Sequence, residues 1–209
     1  MSLDTPTRAF LEKVATGATK PRHLLTPEEA RAAFSGLGAV LPKGPDLPQV
    51  RDLTIPVDGT TLRCRLFVPV AKPAALLVYF HGGGWLVGGI NEFDPLCREI
   101  AAGSGLAVAL VEYRKAPEHP FPIPMEDAHN ALVWLGAQHQ FLLGAPLPLL
   151  VGGDSAGANL AIATTLRSRE TGGLVLIGQL LVYPVTDSRF DRPSYVDPEN
   201  QLLTNRDVM

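Results

Sequence analysis

Histidine is missing from the last third of this sequence: its five copies are His23, His81, His119, His129 and His139, and none follows residue 139. Cysteine is nearly absent as well. Cys64 and Cys97 fall on an expected strand and an expected helix, without the spacing of a metal site or a disulfide framework, so both are expected as buried free thiols. No run approaches the roughly 18 consecutive apolar residues that a membrane span needs. Met1-Ser2-Leu3-Asp4-Thr5-Pro6 has neither a basic n-region nor an apolar h-region, from which a cytoplasmic protein is expected. Lys and Arg are not clustered, and the net charge is −3, which leaves nothing to hold a phosphate backbone and excludes nucleic acid as the expected partner. Internal repeats are lacking. With 46% hydrophobic and 19% charged residues over 209 positions, what remains is one globular folding unit with a sizeable core.

Against those absences stands the pentapeptide Gly153-Asp154-Ser155-Ala156-Gly157. An apolar run, Pro148-Leu149-Leu150-Val151, leads into it, and Ala158 to Arg169 leave it with helical spacing at Leu160, Ala161, Thr164 and Leu166. A G-x-S-x-G pattern arises by chance on the order of 0.1 times in a chain of this length. Between a strand and a helix it specifies a nucleophile elbow, a strained turn that lifts the serine hydroxyl clear of the sheet. A helix starting at Ser155 also points free N–H groups at negative charge developing on an attacked carbonyl.

The rest of the chain supplies a framework for that elbow. Residues 1–48 are expected as two short helices and a linker. In the first, Phe10, Leu11 and Val14 share a face; in the second, Thr26 is the N-cap, Pro27 is N1 and Glu29 completes a capping box. Val50–Val57 and Leu62–Val68 alternate as a hairpin around Asp58-Gly59-Thr60. Ala74–Phe80 and Leu106–Val111 are apolar enough to be buried parallel strands. Helical spacing joins them through Phe93, Leu96, Cys97 and Ile100, and a further helix over 123–138 carries Met125, Ala128, Leu132 and Leu135 inward. A last strand spans Leu174–Tyr183. Strand and helix alternate, so the fold class is α/β with a mostly parallel sheet covered on both faces.

A second motif, His81-Gly82-Gly83-Gly84-Trp85, follows the strand ending at Phe80. Glycines there let backbone N–H groups approach a substrate with no side chain in the way. A dinucleotide loop would need Gly at position 87, where Val87 stands, and would leave the elbow unexplained, even with Glu112 as a mimic of the ribose-binding acid.

Taken together, His81-Gly82-Gly83-Gly84, Tyr113-Arg114, Ala116-Pro117-Glu118-His119-Pro120-Phe121-Pro122, Glu126-Asp127, Gly153-Asp154-Ser155-Ala156-Gly157 and Tyr183-Pro184 resemble the bacterial hormone-sensitive-lipase-like carboxylesterases. The resemblance covers about residues 40–209. It implies the α/β-hydrolase fold, with cap segments at 1–48 and from 188 onward around a core at 49–187. It also implies no cofactor and no metal, and short-chain acyl esters as small-molecule substrates. By position, Ser155 is the nucleophile, and the N–H groups of Gly83, Gly84 and Ala156 form the oxyanion hole.

The pattern departs from the family at one point. There the acid and the histidine follow the elbow, whereas here every histidine precedes Ser155, so the chain is expected to stop before its acid and base and to be catalytically incomplete. His81 is expected to bond backbone, His119 to be structural, and His23 and His139 to lie at the surface. Glu126 and His129 form a lone i, i+3 pair, and Asp187 is the one tempting acid. Two other readings of the same fold are a ligand-binding protein without turnover and an amidase or arylformamidase. In the complete fold, strand 174–183 is interior, so here its apolar residues are expected to form an open edge that aggregates, or pairs with another chain or with the missing C-terminal piece.

Overall fold

Alternation in the central strands decides how the layers are built. In the computed structural model, which describes residues 4–16, 20–38, 41–189 and 191–196, the strand β3 (Leu76–Phe80) is buried along its whole length. Its Leu76, Val78 and Phe80 face one core and its Leu77 and Tyr79 the other. β4 (Ala107–Glu112) divides the same way, with Ala107, Ala109 and Val111 on the first side and Val108 and Leu110 on the second. Side chains alternate across a strand, so both strands need cover on both faces. The first core is closed by α4 (Ile123–Leu143) through Ala128, Ala131, Leu132 and Leu135, and by α5 (Ala156–Glu170) through Leu160 and Ala161. The second is closed by α3 (Ile90–Ser104) through Ile90, Phe93, Cys97 and Ala101.

The sheet also contains β1 (Gln49–Val57), β2 (Thr60–Val68), β5 (Leu149–Asp154) and β6 (Leu176–Val182), in the order β1-β2-β4-β3-β5-β6. β1 and β2 form an antiparallel hairpin in which Val57 pairs with Thr60, and β2 runs antiparallel to β4; the junctions β4-β3, β3-β5 and β5-β6 are parallel. The expected α/β architecture and hairpin are therefore present. α4 runs five residues beyond its expected end at 138, until Gly144 caps it in the left-handed conformation.

Two inward assignments need correction. Leu96 on α3 and Leu166 on α5 are exposed. The buried stripe of α3 runs 90, 93, 97, 101 and that of α5 runs 157, 160, 161, 164, 168, so Leu96 and Leu166 stand off those rows. Ser168 occupies the last inward position of α5. Cys64 and Cys97 are buried free thiols, as expected.

The chain divides into two compact units, residues 31–186 and residues 1–30 with 187–209. The smaller one contains α1 (Thr5–Thr16) and α6 (Pro193–Val196). α2 (Pro27–Gly38) opens with the expected capping box: Thr26 N–H donates to Glu29 Oε2 at 2.7 Å and Glu29 N–H to Thr26 Oγ1 at 3.3 Å. The facing of Phe10, Leu11 and Val14, and the segment 197–209, lie outside the described residues.

Candidate active site

Ser155 stands between the last residue of β5 and the first of α5 with φ 51° and ψ −118°, a strained backbone for a residue carrying a Cβ. The turn is braced on both sides. Ser155 N–H donates to Val182 O at 2.9 Å, Val185 N–H donates to Ser155 O at 3.3 Å, and Asn159 Nδ2 holds Val185 O at 2.8 Å. Gly157 and Gly153 make the close crossing of helix and strand feasible, because a Cβ on either would overlap the Phe80 carbonyl oxygen. Ala156, as the first helical residue, has an N–H with no intrahelical acceptor.

The glycine loop 82–89 begins beside this elbow. Gly82 N–H donates to Asp154 Oδ1 at 2.9 Å, and Tyr79 Oη–H donates to the same oxygen at 3.0 Å. Asp154 is buried, and desolvation raises its pKa above the usual carboxylate value while those two bonds oppose the rise. Beyond Gly82 the loop folds on itself, with the N–H groups of Leu86 and Val87 both donating to Gly83 O at 3.0 and 2.9 Å. Gly83, Gly84 and Trp85 take φ values of 117°, 60° and 57°. In that conformation the N–H groups of Gly83 and Gly84 donate to no acceptor among the described residues.

Behind the loop, His81 is buried between the rings of Tyr113, 4.5 Å away by centroid, and Phe93, 5.2 Å away. Its Nδ1 lies 2.7 Å from Gly82 O, a pure acceptor, so Nδ1 carries the proton. Burial lowers its pKa to about 3. Tyr113 Oη–H donates to His81 O at 2.8 Å. The loop 113–122 is fixed in turn by Arg114, whose Nε and Nη2 grip the fully buried Asp127 of α4 at 2.9 and 2.6 Å.

None of the five histidines is hydrogen-bonded to Ser155 among the described residues. His81 serves the backbone, as expected; His139 is half-buried, with Nδ1 2.7 Å from Gly136 O. Glu126 and His129 belong to no metal-binding cluster among the described residues. The carboxylate of Asp187 is occupied by Arg189 and Arg192, which hold its pKa well below the ordinary range.

A strained serine between a parallel strand and a helix, with a tethered glycine loop alongside, is matched by known proteins. Residues 77–209 match the family model described as alpha/beta hydrolase fold. The chain is 32% identical to the hyperthermophilic esterase from Pyrobaculum calidifontis, superposing with a TM-score of 0.90 over 100% of this chain and 68% of that one. The chain belongs to the hormone-sensitive-lipase-like carboxylesterases of the alpha/beta hydrolase fold. Among curated members of this esterase family it is similar to carboxylesterase NlhH of Mycobacterium tuberculosis, 38% identical over 78% of this chain and 53% of that protein. It is also 38% identical to an ethyl acetate hydrolase of Pseudomonas putida, over 93% of this chain and 64% of that protein. The chain thus spans about half the length of the first of these curated esterases.

Sequence reasoning brought Ser155, Gly83, Gly84 and Ala156 forward as esterase residues but gave no role to Asp154, Asp127 or Arg31. For Asp154 a signal exists: a carboxylate ending a buried apolar strand must find buried donors. For Arg31 there is none, since its partners lie 55 to 87 residues away.

Proposed function

We propose that this chain supplies the nucleophile and the oxyanion hole of a serine carboxylesterase acting on short-chain acyl esters. The observation that carries the proposal is the pair of undonated N–H groups, Gly83 and Gly84, on a loop that Asp154 ties to the strained Ser155 turn. Ser155 Oγ attacks the ester carbonyl, and its proton passes to a base. The carbonyl oxygen, now negative, accepts from the Gly83, Gly84 and Ala156 N–H groups. Collapse expels the alcohol, which takes up a proton, and leaves an acyl-serine; water then attacks the acyl carbon and releases the acid through a second oxyanion in the same place. No cofactor or metal enters these steps.

Within these 209 residues Ser155 has no histidine base, so turnover by this polypeptide is expected to be low. Oxyanion stabilisation and binding alone retain on the order of 10³–10⁴ over water in the best-studied serine hydrolases. The test is labelling by a fluorophosphonate followed by peptide mapping, alongside hydrolysis of p-nitrophenyl butyrate. Expected are slow modification at Ser155, none in Ser155→Ala, and turnover far below a typical 10 s⁻¹. Modification elsewhere would contradict the assignment of Ser155, and turnover within about tenfold of that typical value would mean that the 209 residues do hold a base.

We further propose that β6 associates with a second copy of this chain. Val175, Ile177 and Tyr183 are 84%, 62% and 71% exposed around a strand that pairs with no further strand beyond β5 among the described residues.

A further inference from the structure

Arg31, on α2, reaches two separate loops of the candidate site at once. Its Nε donates to Leu86 O at 3.0 Å, its Nη2 to Ala116 O at 2.9 Å, and its fork grips both carboxylate oxygens of Glu118 at 2.7 and 2.6 Å. Leu86 belongs to the turn that folds onto Gly83 O, and Ala116 N–H donates to Trp85 O at 2.9 Å, so the guanidinium closes a ring of bonds around 83–87 and 116–118. The arm carrying it is anchored. Phe34, one turn further along α2, stacks on Phe93 with ring centroids 6.1 Å apart, and Ser35 Oγ–H donates to Glu92 Oε1 at 2.5 Å.

Within the loop the Leu86 and Val87 N–H groups hold the Gly83 carbonyl, but as glycines Gly83 and Gly84 are open to many other conformations. At its start it is tied by the Gly82 bond to Asp154. Its far end, which determines where the Gly83 and Gly84 N–H groups point, is held from outside by Arg31 and Ala116. We propose that Arg31 is a positioning residue for the oxyanion hole, acting through the Leu86 and Ala116 carbonyls, with Glu118 orienting its fork. A planar guanidinium can serve three acceptors in one plane where an ammonium cannot. This inference rests on the esterase reading for its meaning, since it gives α2 control over the transition-state donors.

The test has two arms that fail separately. Amide hydrogen exchange on the 209-residue chain reports the loop itself. Arg31→Ala is expected to speed exchange of the Leu86, Val87 and Ala116 amides by about tenfold or more, while β3 and β5 amides stay unchanged. Glu118→Gln still offers Arg31 an acceptor and leaves those loop amides within about threefold of wild type. Arg31→Met keeps the length and aliphatic packing of the side chain but offers the carbonyls no donor, so it behaves like Arg31→Ala. Unchanged exchange in Arg31→Ala, or wild-type exchange in Arg31→Met, overturns the inference. In the second arm, the fluorophosphonate reaction at Ser155 slows in Arg31→Ala by a factor comparable to the gain in exchange; an unslowed reaction in a loosened loop also overturns it. If wild-type Ser155 does not react at all, the esterase reading fails, and the exchange arm still decides whether Arg31 holds the loop.

Discussion

A histidine heading a glycine loop beside a strained serine invites a catalytic role, and the surroundings of His81 remove it. The ring is fully buried against Tyr113 and Phe93, Nδ1–H is committed to Gly82 O, and burial lowers the pKa to about 3. We expect the ring to remain neutral with the proton on Nδ1 down to pH 5, as nitrogen chemical shifts in heteronuclear NMR would report; titration near 6.5 would contradict the packing. The sign follows from linkage. A depressed pKa means that the unfolded chain binds a proton the folded ring refuses. His81 therefore contributes its full stability above 6.5 and loses it as pH falls toward 3, by at most about 1.4 kcal/mol per pH unit. Asp154 is the complementary case. Asp154→Ala would strand Tyr79 Oη–H and Gly82 N–H, each at about 1–3 kcal/mol, offset in part by release of a desolvated carboxylate. A net loss is expected in urea denaturation, with a smaller one, about 1 kcal/mol, for Tyr79→Phe. The turn at Ser155 and the glycine loop after β3 were legible in the sequence because their backbone signals are local. Asp154 and Arg31 were not, because their partners meet only when strands and helices distant in sequence are brought together.

At the scale of elements, the crossing of β5 and α5 separates glycines that sequence alone treats alike. Gly157→Ala would drive a methyl group into the Phe80 and His81 carbonyls, neither of which can move without breaking up β3 and its loop. A loss of about 3 kcal/mol is expected. Gly103, near the end of α3, meets nothing within 4 Å of a Cβ, so Gly103→Ala should raise stability by about 0.5–1 kcal/mol through helix propensity. Equal effects at the two positions, read from urea midpoints at constant m-value, would show that the close approach is wrong. Every expected strand and helix of the core was readable from periodicity, since the double-sided sheet imposes period 2 and its covers impose 3.6. Periodicity fails at Leu96 and Leu166 for a physical reason: a helix packed on one face buries only the residues nearest its line of contact, and an apolar neighbour one or two positions off that line stays wet.

For the molecule as a whole, the sheet has two unlike margins. β1 closes one side with Pro56 and charged Arg51 and Asp52, residues that discourage pairing. β6 closes the other with Leu176, Ile177, Leu180, Leu181 and Val182, broken only by Gly178 and Gln179. Of these, Ile177, Leu180 and Val182 are 62%, 39% and 36% exposed, and Val175 and Tyr183 extend the apolar strip at each end. A parallel or antiparallel copy of the same strand would satisfy the open N–H and C=O groups and bury these side chains together. Sedimentation velocity is therefore expected to show concentration-dependent dimers or larger species at micromolar protein. Charge on the strip should oppose it: Ile177→Lys, exposed in the monomer and free of core contacts, is expected to shift the population toward monomer without lowering the urea midpoint of the 31–186 unit. A monomer at every concentration in the parent chain, with fast amide exchange along residues 176–182, would mean that the exposed strip stays solvated. A monomer with those amides strongly protected would place another segment of the same chain on the edge.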